Sequence, residues 1–183
     1  MQIYVVVIIL LLVGGVVASY FAHRRKQEMI WLAEELELDY DARNILSGRY
    51  RGHKVAAGTT RVHSRSFALF QLDLPARLPV LTISPERRKL AVYSELDYAD
   101  ISFESNVFSR KFRVKSNDKK FAYDVCHPRM IEYLLAHPRL MIWIRSDKLN
   151  LLTSRLVPKT VKTNLDRLVE VRELLPDYLF SRR

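Results

Sequence analysis

From position 3 to position 22 the chain is apolar almost without interruption, and at Arg24, Arg25 and Lys26 it turns basic at once. Twenty helical residues at about 1.5 Å each cover roughly 30 Å, the thickness of a hydrocarbon core. Tyr4 and Tyr20 fall near the two ends, where amphipathic rings settle at an interface. No charged side chain precedes the run, and Ala18-Ser19-Tyr20 puts a bulky ring where a cleavage site needs a small residue. The pattern predicts an uncleaved single transmembrane helix. The basic flank places its C-terminal end in the cytoplasm and its N-terminus outside the inner membrane. Residues 1–26 are then the anchor with its flank, 27–38 a juxtamembrane helix and 39–183 a cytoplasmic domain.

Within the span, Gly14, Ala18 and Ala22 recur every four residues, with Gly15 and Ser19 beside them. Such a face lets a second helix approach closely; small residues are also simply common in membrane helices. After the flank, Ile30, Ala33 and Leu36 or Glu37 keep helical spacing to about Leu38, and Glu34, Glu35, Glu37, Asp39 and Asp41 form an acidic face.

Beyond Asp41 the period shifts to two. Gly48, Gly52 and Gly58 punctuate strand-like stretches in which Arg49, Arg51 and His53, then Arg61, His63 and Arg65, take alternate positions. From Phe67 both faces turn apolar, Pro75 and Pro79 bracket an expected loop, "PVLTIS" follows as a strand, and the turn at 85–88 leads into "KLAVYS". Phe112 and Val114 alternate with Lys111, Arg113 and Lys115 in a half-buried strand. Asn117 or Asp118 caps a helix whose apolar face is Phe121, Ala122, Val125 and Cys126. A doubled His-Pro-Arg brackets a second short helix with Met130, Ile131, Leu134 and Leu135 on one side. "LMIWIRS" and "KLNLLTS" read as two strands joined across 146–148. Pro158 opens, and Pro176 closes, a final helix burying Val161, Leu165, Leu168, Val169 and Leu175. Strands and helices do not alternate strictly. The expected class is α+β: a mainly antiparallel curved sheet with two short helices and a C-terminal helix, for which a pleckstrin-homology-like roll is one arrangement.

Charge sharpens this picture. All 30 basic and 20 acidic residues follow position 22, so the net charge of +10 sits on the part outside the span. A basic domain suits nucleic acid, an anionic membrane surface or an acidic protein. An anchor beside an anionic leaflet favours the second and third, where each nearby cation gains about 1 kcal/mol. Interleaved stacking aromatics, the mark of nucleic-acid binding, are not evident. The candidate contact residues are Arg24, Arg25, Lys26, Arg49, Arg51, Arg61, Arg65, Arg87, Arg88, Lys111, Arg113 and Lys115. Cys126 is the lone cysteine, so no internal disulfide forms, and its helical face makes it a small core residue.

Catalytic patterns are missing. Cys126, His127 and His137 lack metal-ligand spacing, and His53 and His63 sit among arginines. Asp97 and Asp100 are explained by a turn or cap, and no phosphate loop or nucleophile elbow occurs. No histidine lies inside the span, which leaves no axial ligand for haem or a chlorophyll-type pigment. Neither a cofactor nor a metal is expected.

"GRYRG" at 48–52, "FESNVFSRKFRV" with Asp118 behind it, and "ELLPDYL" resemble a family of bacterial single-pass proteins with one cytoplasmic domain of unknown function. The resemblance implies bacterial origin and an α+β domain, and it supplies no activity. The expected role is a non-catalytic accessory subunit of a multi-subunit cytoplasmic-membrane complex, respiratory or photosynthetic, held to other integral membrane subunits by its helix. The alternative is a membrane-tethered module for anionic lipid headgroups or a small ligand.

Overall fold

A computed structural model describes residues 2–62, 65–86 and 98–181, with the backbone alone at 2–13, 18, 62 and 65. It opens on one helix, α1 (Gln2–Glu35), which is unbroken for 34 residues. The 26/27 boundary expected between anchor and juxtamembrane helix falls inside it. Among the described residues no helix is long and apolar enough to cross a membrane. Most of the span expected at 3–22 lies outside the described side chains. The last turns of α1 bury Met29, Leu32 and Ala33, with Leu36 packed beside them. That stripe follows i, i+3, i+4, i+7 spacing. Of the expected face, Ala33 and Leu36 lie in this stripe, while Met29 and Leu32 are buried where Ile30 is only half-buried; Glu37 and Trp31 are exposed.

The fold is α+β with a curved, wholly antiparallel sheet. Strands β1 (Leu38–Tyr40), β2 (Leu46–Tyr50), β3 (His53–Val62), β4 (Arg65–Pro85) and β5 (Phe112–Ser116) neighbour one another in that order. Strand β6 (Ile142–Thr153) pairs with β4. β4 is central along its 21 residues: β3 lines one edge at 65–72, β5 takes over that edge at 81–85, and β6 follows the other.

Two expected breaks in these strands are not there. Pro75 and Pro79 lie within β4 rather than around a loop, and the segments expected at either side of 146–148 are one strand, β6. Asp73 pairs with Lys148 and Leu81 with Ile144, so seven β4 residues, 74–80, stand opposite three of β6, 145–147. Proline has no N–H for the ladder, and a bulge is where a sheet tolerates it. Ser146, at φ 57°, takes up the distortion on the β6 side. Burial follows: Ala68, Phe70, Leu72 and Leu74 face the core before the bulge, Leu81 and Ile83 after it, one phase later.

Three short helices, one more than expected, lead into β6 and α5. α2 (Asn106–Lys111) is capped by Ser105, whose Oγ accepts from Phe108 N at 3.3 Å. α3 (Lys119–Val125) is capped by Asp118, as its position suggested, with Oδ1 accepting from Phe121 N at 2.9 Å. α4 (Pro128–Ala136) starts on Pro128 and buries Met130 and Leu134. α5 (Pro158–Leu174) lays Val161, Leu165, Leu168 and Val169 against the sheet, all at most 1 % exposed. Each buried Leu or Val of that kind contributes about 1.5–3 kcal/mol. Cys126 is buried in this core, and burial pushes its thiol well up. The expected strand "KLAVYS" lies outside the described residues.

Candidate functional site

The candidate site is the base of α1, where the basic flank meets the domain. Arg25 reaches across from the helix and donates through Nη2 to the Leu156 carbonyl, in the link between β6 and α5. Beside it is a cavity of about 290 Å³ lined by Arg25, Lys26, Tyr40, Asn44, Thr59 and Leu156, with Ala22 and Met29. Tyr40 Oη donates to Asn44 Oδ1 at 2.8 Å. Burial raises the Tyr40 phenol above its ordinary value, against the lowering pull of Arg25. Two cations, a phenol and an amide therefore surround one small space at the end of the apolar run. Tyr40, Asn44, Thr59 and Leu156 are not marked in the sequence. Leu156 is 131 positions from Arg25 and contributes only a carbonyl, which any residue offers.

The remaining expected contact residues divide. Arg24 pairs with Glu28 at 3.2 Å on the exposed face of α1. Arg49, Arg61 and Lys111 point to solvent. Arg51 pairs with Asp166 at 2.9 Å. Arg113 holds Glu86 at 2.7 Å and Asp100 at 3.5 Å, and Lys115 lies 3.9 Å from Asp100. The turn after β2 and the basic face of β5 are thus partly neutralised by carboxylates that sequence spacing does not reveal. Half-exposed pairs of this kind contribute less than about 1 kcal/mol each, yet they cut the local charge. The side chain of Arg65, all of Arg87 and Arg88, and His63 and Asp97 lie outside the described residues.

On α1, Gly14, Gly15, Ser19 and Ala22 are exposed, while the Ala18 side chain lies outside the described residues. A Cβ added at Gly14 or Gly15 meets nothing within 4 Å, so these two positions are clear of the described domain, whereas Ala22 lines the cavity above. Of the histidines weighed for chemistry, His127 Nε2 lies 2.9 Å from the Leu174 carbonyl and His137 Nδ1 2.9 Å from that of Tyr133.

No family model matches the chain, and no curated protein matches it. Among solved structures, the crystal structure of the mycobacterial trehalose monomycolate transport factor A, TtfA, is similar in fold. The TM-score is 0.65 at 13 % identity, over 82 % of this chain and 95 % of that one.

Proposed function

We propose that this protein is a non-catalytic accessory factor of a multi-subunit assembly at the cytoplasmic membrane, anchored by residues 3–22 with its domain inside. One observation carries the reading: α1 runs without a break from the apolar stretch into the core, where Met29, Leu32 and Ala33 are buried. A domain seated on its own anchor presents a fixed surface to its neighbours, as a scaffold requires. The stripe of Gly14, Gly15, Ala18, Ser19 and Ala22 is its contact with other integral membrane subunits. Trp31, 65 % exposed further along α1, adds an aromatic contact beyond the flank. The mycobacterial neighbour is named a transport factor, which adds a transport assembly to the respiratory and photosynthetic complexes as hosts.

The test is a mild-detergent pull-down of the C-terminally tagged chain from its native membranes, with the co-purifying chains identified by mass spectrometry. A stoichiometric complex is expected, lost in Gly14→Leu or Ala18→Leu. A free monomer across several detergents overturns the reading. A second reading, a tethered module for anionic lipid, draws on the Arg25 and Lys26 cavity. It expects salt-sensitive binding of the full chain to phosphatidylglycerol vesicles, weakened by Lys26→Gln.

A further inference from the structure

A second, larger cavity of about 560 Å³ opens between the end of α4, the end of β6 and the start of α5. Its wall carries His137, Arg139, Arg155, Arg167, Thr160 and Asn164, and no carboxylate lines it. None of the three guanidiniums forms an ion pair among the described residues. Leu140 and Leu152 close the floor. The arginines come from three separate elements, so no single charged segment explains their convergence.

Several details show a wall prepared for an anion. α5 begins here with no acid in its first turn; Pro158 has no N–H, and Thr160 gives both its N–H and its hydroxyl to the Val157 carbonyl, so the helix end adds its positive sign rather than free donors. Asn164 is 3 % exposed; its Oδ1 accepts from Arg167 Nη1 at 3.5 Å, and its NH2 donates to no described residue. His137 Nδ1 donates to the Tyr133 carbonyl, which leaves Nε2 for the cavity. The Tyr133 ring lies against the imidazole, 4.4 Å between centroids, and its Oη donates to Glu170 at 2.7 Å. Glu170, one turn past Arg167, takes this bond and is not part of the cavity lining.

The geometry points to this cleft as a binding site for a phosphate ester. Planar guanidiniums, with the hydroxyls of Ser154 and Thr163 on the same lining, are donors that phosphate oxygens take, and the apolar floor suits the carbon portion of the ester. The second copy of the His-Pro-Arg motif, at 137–139, is then more than helix punctuation, since all three of its residues line the cleft. The source of the ester is soluble or membrane-borne. Arg155 and Val157 line the cleft on either side of Leu156, whose carbonyl Arg25 holds, so this part of its wall adjoins the base of α1. The membrane-borne case rests on the anchor proposed above; the soluble case does not.

The experiment titrates the full chain in neutral detergent with sn-glycerol 3-phosphate by calorimetry. In parallel, it is floated with phosphatidylcholine vesicles with and without phosphatidylglycerol. The cleft variant is Arg155→Gln with Arg167→Gln, and the charge-matched control is Arg110→Gln with Lys120→Gln. Loss of two charge-assisted contacts weakens binding by about tenfold or more. Glycerol phosphate binding that falls in the cleft variant and holds in the control supports a soluble ester. Vesicle binding with that pattern, and no heat from glycerol phosphate, supports a headgroup. No binding of either probe, or an equal fall in both variants, overturns the site. Arg139→Gln, on an exposed turn, replaces the double variant if that one does not fold. Failure of the glycerol phosphate arm leaves the accessory-factor reading standing, because that arm involves no membrane.

Discussion

Tyr50 shows how much one residue can hold. Its Oη donates to Asp166 at 2.7 Å, while Arg51 reaches the same carboxylate oxygen at 2.9 Å. Burial first, and then the bond to Asp166, push the phenol up to about 12. The fold favours the neutral phenol, so this stabilisation is whole below the unfolded value of about 10 and is lost as pH rises from there to about 12. Tyr50→Phe should cost about 1 kcal/mol at neutral pH. It should also flatten the fall in the urea midpoint between about pH 10 and about pH 12; an unchanged fall would show that another group carries it. Gly48 makes a second residue-scale case. It sits at φ 154°, and a Cβ there would come 2.8 Å from Leu38 Cδ2. Gly48→Ala should lower stability by about 1–2 kcal/mol in urea titration, by strain and crowding together. At this scale the sequence is legible where the cause is local. Helical spacing alone puts Cys126 in the core. It misses the engagement of Arg113 and Lys115, whose partners Glu86 and Asp100 come from elsewhere in the chain.

At the scale of elements, the sequence is legible where a cap or a period marks the structure. Asp118 before α3, Pro128 opening α4, and the Val161, Leu165, Leu168 stripe of α5 are all in place. Asp118→Ala should cost about 1 kcal/mol, seen as a lowered urea midpoint, because the Phe121 amide loses its acceptor. β4 and β6 were less readable. Their prolines and turn-like residues suggest breaks, whereas the strands continue and bulge, and only the pairing across the sheet shows which outcome holds. α2 was hidden for the related reason that six residues are too few to establish a period. The docked end of α1 makes the sharpest element-level expectation. Leu32→Ala, at a position 7 % exposed, should destabilise the domain by about 2–4 kcal/mol, read by thermal or urea unfolding. A loss as small as that of an exposed helix position would mean that α1 is not seated in the core.

For the whole molecule, the α+β class and the curved antiparallel sheet were legible from the order of periods along the chain. The two cavities were not, because each gathers residues from distant segments: 22 to 156 in one, 136 to 167 in the other. At this scale fold and partnership should separate cleanly. Gly14→Leu should leave the urea midpoint unchanged, since an added side chain there meets nothing of the domain, while it removes co-purifying subunits. A variant that unfolds the domain would place the stripe in an internal contact instead.

The seat of α1 has a mechanical side. Its 34 residues make a rod about 50 Å long, gripped at one end by the core and bonded through Arg25 to the lead-in of α5. Because α1 is unbroken and its last turns are buried in the core, a tilt imposed on its other end by whatever holds it turns the sheet and both cavities with it. A partner that leans on the first turns could therefore steer the 560 Å³ cleft toward or away from a facing surface without touching it.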